Sequence, residues 1–113
     1  MLDGTYYDRD GLPITMEQWG ALRYTEDGED RRDDYIRVAQ DDVLTADGKC
    51  VWVSTVWIGM DMGWHHDALP VIFETMCFGD GKWDDFCQRY ATEAEAKAGH
   101  TAVVVAVTAG TEL

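Results

Sequence analysis

The chain lacks the features that would place a protein in or across a membrane. Its 113 residues contain no apolar run near the roughly 18 residues that a membrane span needs. The opening segment, MLDGTYYDRD, has neither the basic region nor the apolar core of a signal peptide. We therefore expect a cytoplasmic protein.

Residues that carry familiar chemistry are also scarce. The three cysteines, Cys50, Cys77 and Cys87, show no C-x-x-C spacing, which predicts reduced thiols rather than disulfides or a zinc site. Cys50 and Cys77 lie in apolar runs and are expected in the core. Ser54 is the only serine and lies in a predicted strand, so a serine nucleophile is not expected. No P-loop, G-x-G-x-x-G, G-x-S-x-G or H-E-x-x-H motif occurs.

Positive charge is the third shortage. Nine basic residues face 22 acidic ones, which gives a net charge of −13. Direct binding to nucleic acid or to an anionic membrane is therefore not expected. The acidic excess either keeps the protein soluble or docks on a basic partner, and at its extreme it mimics the phosphates of DNA. The acids available for such an array are residues 26–34, Asp41, Asp42, Asp80, Asp84 and Asp85.

What is abundant is apolar and aromatic area. Hydrophobic residues make up 46% of the chain, with five Trp, five Tyr and three Phe, which suits one domain over residues 1–113 with one core. The segment TEDGEDRRDD, residues 25–34, has no apolar side chain and predicts a charged, mobile linker within that domain.

Two helices are predicted from their ends. Thr15 and Gln18 form a capping box before a helix over about residues 16–23. Thr92 and Glu95 repeat that pattern before a helix over about residues 93–106, with Gly110 near its end. At 100° per residue, the second helix gathers its polar residues on one arc, which comprises Glu93, Lys97, His100, Thr101 and Thr108.

Between the helices the apolar residues alternate with a period of two. Strands over residues 35–44 and 49–59 flank Asp47-Gly48, a two-residue hairpin signal that pairs Ala46 with Lys49. A third strand begins at Pro70, and a turn at residues 79–82 leads to a fourth. The short connections predict an α+β fold: a four-stranded antiparallel meander with the C-terminal helix on one face and the short N-terminal helix beside it.

The run DMGWHHDALP contains the candidate metal ligands. Asp61, His65, His66 and Asp67 lie close in sequence, and His100 can join them only through the tertiary fold. Adjacent histidines point in opposite directions in an extended segment, so the alternative is a solvated loop in which Trp64 packs or makes a contact. We expect no bound metal or other cofactor.

Glu74 is the candidate catalytic residue. Period two places it on one face with Ile72, Met76 and Phe78. A carboxylate among apolar neighbours is either a general acid or base or a partner of an arginine such as Arg37 or Arg89. The ion pair is the expected outcome.

The strand over residues 49–59 is apolar on both faces, and two short helices cannot cover both. We expect the face with Val51, Val53, Thr55 and Trp57 to stay partly open. A homodimer with Trp57 near its interface follows from that expectation. The predicted interaction residues are therefore Val53, Thr55, Trp57 and Trp64.

Three runs, VWVSTVWIGMD, PVIFETMCFG and RYATEAEAKAGH, resemble a group of short proteins from actinobacteria and especially from their bacteriophages. The resemblance covers residues 35 to about 100 and part of the N-terminus. The group has no assigned activity, so the resemblance implies an origin and not a mechanism. A phage origin favours an accessory protein that acts in the host cytoplasm. We expect non-catalytic binding to a host or virion protein. The alternatives are a DNA mimic that inhibits a nucleic-acid-binding protein, and a metal- or carboxylate-dependent enzyme using residues 61–74.

Overall fold

The computed structural model describes residues 5–63, 69–79 and 82–110. Its elements are, in chain order, β1 (Tyr6–Tyr7), β2 (Pro13–Ile14), α1 (Met16–Arg23), a π-helical turn (Arg32–Ile36), β3 (Arg37–Leu44), β4 (Cys50–Trp57), β5 (Phe73–Phe78), β6 (Cys87–Tyr90) and α2 (Glu93–Ala109).

The larger sheet confirms the predicted α+β meander. Its strand order is β3-β4-β5-β6, with every neighbouring pair antiparallel. α2 packs across one face and contacts all four strands. β1 and β2 form a separate two-stranded sheet, which lies with α1 near the Trp57 end of β4. None of the helices within the described ranges is long and apolar enough to cross a membrane.

Both helices begin where their caps predict. Thr15 accepts the backbone N–H of Gln18, and the Gln18 side chain accepts the N–H of Thr15, which completes the capping box of α1. Thr92 accepts the N–H of Glu95 at the start of α2. α2 ends at Gly110, whose φ of 72° suits a residue without a side chain.

The β3–β4 hairpin differs from the predicted register by one residue. Its loop contains three residues, Ala46 to Gly48, because the N–H of Thr45 donates to the carbonyl of Lys49. Gly48, at φ 84°, takes the left-handed position that closes such loops. The predicted pairing of Ala46 with Lys49 is therefore wrong. Val43 pairs with Val51, and this one-residue slip moves Val43 to the face that was not predicted for it.

The predicted polar arc of α2 is exposed at Lys97, Thr101 and Thr108, but His100 lies on the buried side of the helix. Its buried residues are Ala96, His100, Val103, Ala106 and Val107. The spacing of Ala96, His100, Val103 and Val107 is the four-three-four pattern of one helical face. His100 is 4% exposed, so the placement of His100 on the solvent arc is wrong.

The cysteines occupy three different environments. Cys77 is fully buried, as predicted, and burial raises the pKa of its thiol to about 11. Cys50 is exposed, so its predicted place in the core is wrong. The reason is its position at the start of β4, where it pairs with the exposed Leu44 at the edge of the sheet.

Residues 25–30 of the charged segment are exposed, and the segment folds back on α1. Tyr24 and Asp30 form an isolated β-bridge. The backbone N–H of Arg31 donates to the carbonyl of Arg23, and its guanidinium donates to the carbonyl of Ala21. These bonds set the entry into the π-helical turn that precedes β3.

Alanine substitutions at two helical glycines are expected to have opposite effects. Alanine is favoured over glycine in helices by about 0.8–1.0 kcal/mol. Gly20 in α1 has open space, so Gly20→Ala should raise the free energy of unfolding by up to about 1 kcal/mol. A Cβ on Gly99 of α2 would lie 2.3 Å from the ring of Tyr90, so Gly99→Ala should lower it by about 1–3 kcal/mol. Urea unfolding of both variants checks this, and two stabilised variants would contradict the close packing of α2 on Tyr90.

Candidate functional site

The two faces of the larger sheet have different surroundings. On the face beneath α2, every residue of the set Val51, Val53, Thr55, Trp57, Phe73, Thr75 and Cys77 is fully buried. Cross-strand partners lie on the same face, so the strand register defines the opposite face. We call it the open face, and it comprises Arg37, Gln40, Asp42, Leu44, Cys50, Trp52, Ser54, Val56, Glu74, Met76, Phe78, Cys87 and Arg89.

This finding corrects the predicted interaction surface. Val53, Thr55 and Trp57 are buried inside the protein's own fold and are not accessible to a partner. The indole N–H of Trp57 donates to the carbonyl of Tyr7 at 3.0 Å. The sequence argument that one face lacks a cover was sound, but α2 covers the face that was expected to be open.

One half of the open face is apolar. The rings of Trp52 and Phe78 are paired, with centroids 5.2 Å apart. Phe78 is 39% exposed, and Leu44 beside them is 69% exposed. Trp52 and Met76 are half-buried and line a groove of about 200 Å³ together with Ser54, Val56, Glu74, Phe78 and the Arg32 side chain.

Trp52 is the polar exception within this apolar half. Its indole Nε1 is shielded from solvent and has no hydrogen-bond partner among the described residues. A buried donor without an acceptor costs about 1–3 kcal/mol.

The other half of the open face carries an ion pair. Arg89 Nε lies 3.1 Å from Glu74 Oε2, and the two residues are cross-strand partners. Of the two interpretations of Glu74, this geometry matches the ion pair with an arginine and not the general acid or base. Cys87 lies beside them, with its Sγ 3.5 Å from the same carboxylate oxygen. Partial burial and the nearby Glu74 charge raise the pKa of the Cys87 thiol.

A chain of polar side chains runs through the interior beneath α2. His100 Nδ1 lies 2.7 Å from Thr55 Oγ1, which lies 2.6 Å from Thr75 Oγ1. The Tyr90 hydroxyl donates to Thr75 at 3.0 Å. At the other end, His100 Nε2 lies 2.8 Å from Asp41 Oδ2 at the surface.

The donors and acceptors of this chain fit one direction. A carboxylate only accepts, so we assign the imidazole proton to Nε2, which donates to Asp41. Nδ1 then accepts a hydrogen bond from the Thr55 hydroxyl. The Thr55 oxygen accepts one from the Thr75 hydroxyl, and the Thr75 oxygen accepts one from the Tyr90 hydroxyl. Every member is satisfied, and Thr55 and Thr75 are fully buried. The arrangement resembles a nucleophile–base–acid series in its residue types, but its hydroxyls are out of reach of a substrate.

The candidate metal ligands are only partly described. Trp64, His65, His66 and Asp67 lie outside the described residues. Asp61 is described, and its Oδ1 accepts the backbone N–H groups of Gly63 and Val71, each at 2.9 Å. This carboxylate joins the two ends of the loop. Within residues 5–63, 69–79 and 82–110, no three His, Cys, Asp or Glu side chains form a group that suits a metal ion.

Comparisons with family models, with curated proteins and with solved structures give no match for this chain.

The sequence found some members of the candidate site and missed others. It named Glu74 with Arg89 as a possible partner, and it named one uncovered face. It missed Trp52, Phe78 and Leu44, because their face was assigned to a helix. A usable signal was present in Thr55 and Thr75, since hydroxyls in a buried strand need polar partners and His100 is the residue of α2 that supplies one.

Proposed function

We propose that the protein is a non-catalytic accessory protein of bacteriophage type that acts by binding another protein through the open face. The observation that carries the proposal is the apolar half of that face, where the rings of Trp52 and Phe78 pair across β4 and β5 and the exposed Leu44 lies on β3, opposite Cys50. Soluble proteins rarely expose contiguous apolar patches without an interaction role. The resemblance of residues 35 to about 100 to short phage proteins supports the accessory role.

Binding is favoured over catalysis by what the reactive side chains contact. The Glu74 carboxylate is paired with Arg89, and the His100 imidazole is held between Thr55 and Asp41. Both groups are therefore engaged in structural contacts. An aromatic pair on a sheet, next to an unpartnered indole N–H, is instead typical of the anchors that dominate protein interfaces.

The chemistry of the open face indicates the kind of partner surface that it fits. An apolar patch should meet Leu44 and Phe78, and an acceptor should reach the Trp52 indole. The remainder of the molecule carries the net charge of −13, which steers the protein away from acidic surfaces and toward neutral or basic ones.

The test is affinity capture from the natural source with two matched variants. Trp52→Glu places a charge in the apolar half of the open face. Val105→Glu places the same charge on the outer side of α2, where Val105 is 63% exposed. We expect wild type and Val105→Glu to retain the same protein and Trp52→Glu to lose it. Retention by Trp52→Glu, or no retained protein at all, would overturn the proposal.

A further inference from the structure

We infer that the open face binds a second copy of this chain, in a two-fold dimer in which the two sheets pack face to face. This inference rests on the proposed function, because it names the partner of the same surface. It differs from the dimer expected from the sequence in the face that it uses and in its central residue, which is Trp52 and not Trp57.

The first support is electrostatic. A chain with a net charge of −13 repels a copy of itself. The described side chains at the open face carry no acidic excess, however, because Asp42 and Glu74 stand against Arg37, Arg89 and the neighbouring Arg32. Two copies can therefore approach through this face without bringing their excess acidic charge together.

The second support is the register of the two central strands. Trp52 on β4 and Phe78 on β5 are cross-strand partners. A two-fold axis that runs along the strands, between β4 and β5, places β4 of one copy over β5 of the other. Trp52 of each copy then faces Phe78 of its partner, and Ser54 faces Met76. Such a contact is isologous, since each pair occurs twice.

The third support is the available area. The four strands lie about 4.8 Å apart and contain eight, eight, six and four residues, so they cover roughly 20 × 20 Å. Face-to-face packing of two such surfaces buries roughly 800 Å² in total, which is the size of a weak or transient protein interface. We therefore expect a reversible dimer with a dissociation constant in the micromolar range, of order 1–100 µM.

Sedimentation equilibrium over a concentration series tests the inference. Wild type and Val105→Glu should pass from the 12.7 kDa chain mass to twice that mass, and Trp52→Glu should remain at the chain mass. Circular dichroism and the urea midpoint must show that each variant is folded. A wild type that stays monomeric at about 100 µM, or a Trp52→Glu variant that dimerises as wild type does, would overturn the dimer.

Thiol cross-linking tests the axis itself. The same two-fold places Gln40 on β3 opposite Cys87 on β6 of the partner, since both pair in the row of Ser54 and Met76. In a Cys50→Ser background, Gln40→Cys should give covalent dimers with a bifunctional thiol reagent of about 10 Å, the separation of packed sheets. The Cys50→Ser variant without the added cysteine should give no covalent dimers, because Cys87 of one copy lies far from Cys87 of the other copy. Equal yields from both would contradict this geometry.

The two proposals fail separately. If wild type is monomeric while capture from the natural source still depends on Trp52, the open face binds a different protein and only the dimer is wrong. If wild type dimerises through Trp52 and captures no other protein, the partner is the second copy and the accessory role through a host or virion protein is wrong.

Discussion

Trp57→Ala is expected to lower the free energy of unfolding by about 3–5 kcal/mol, the usual cost of deleting a large buried aromatic side chain. Trp57 is fully buried in the cluster that contains Ile36, Ile72 and Phe73. Its ring meets the edge of Tyr35 with centroids 4.9 Å apart. Its indole N–H also donates to the Tyr7 carbonyl of β1, so the substitution removes one bond to the N-terminal sheet and leaves the bond from the Tyr7 N–H to the Gly59 carbonyl.

Trp52→Ala is the matched control for this experiment. It removes the same kind of side chain from the other face of the same strand, β4, but Trp52 is half-buried and its Nε1 has no partner among the described residues. We expect a loss below about 2 kcal/mol, because less apolar area leaves a packed environment. Urea unfolding with tryptophan fluorescence and circular dichroism measures both. Equal losses would contradict the assignment of Trp57 to the core and Trp52 to the open face.

The second large effect is expected in the chain of hydroxyls beneath α2. Thr55→Val removes the donor to His100 Nδ1 and the acceptor of the Thr75 hydroxyl. Thr75→Val removes the acceptor of the Tyr90 hydroxyl. Each single substitution leaves buried polar groups without partners, so each should cost about 2–4 kcal/mol.

The double variant should cost little more than one single variant. With both hydroxyls gone, only His100 and Tyr90 at the two ends lack a partner, and two valines replace two threonines of similar size. The coupling between the sites should therefore exceed about 1 kcal/mol. A double-mutant cycle in urea measures this coupling. Additive losses would show that Thr55 and Thr75 do not share a continuous chain.

The local structure was predictable because its causes lie within a few residues. Thr15 and Thr92 set the starts of α1 and α2, because each side chain accepts the backbone N–H of the residue three positions later. Both helices could therefore be predicted from a few neighbouring residues. The alternation of apolar residues located all four strands of the meander. Gly110, near the end of the valine-rich segment, marked the end of α2.

The faces were not predictable, because they depend on contacts between distant segments. A three-residue loop in place of a two-residue one, closed by Gly48, shifts β3 by one position and places Val43 beneath α2. In the sequence, His100 cannot be told from a surface histidine. Its buried place becomes visible only when the fold brings Thr55 and Thr75 against α2. The sequence contains no short-range signal that joins residues 45 positions apart, so the covered face was assigned to the wrong side of β4.

The same uncertainty explains Glu74. Its position among apolar residues allowed a general base or an ion pair, and only the β5–β6 register selects between them. Since Glu74 and Arg89 are directly paired, the strand pairing itself brings the two charges together. The choice between a general base and an ion pair therefore depends on the tertiary structure, although the sequence had already indicated both residues.

The position of α2 after β6 has a consequence for synthesis on the ribosome. The four strands emerge before the helix that covers Val51, Val53 and Phe73, so the nascent sheet passes through a stage with two uncovered apolar faces. Such sheets pair with one another edge to edge and aggregate. The acidic residues of 25–34 and of β3, Asp41 and Asp42, have already been made at that stage. We expect their mutual repulsion to oppose contact between neighbouring nascent chains on a polysome until α2 has docked.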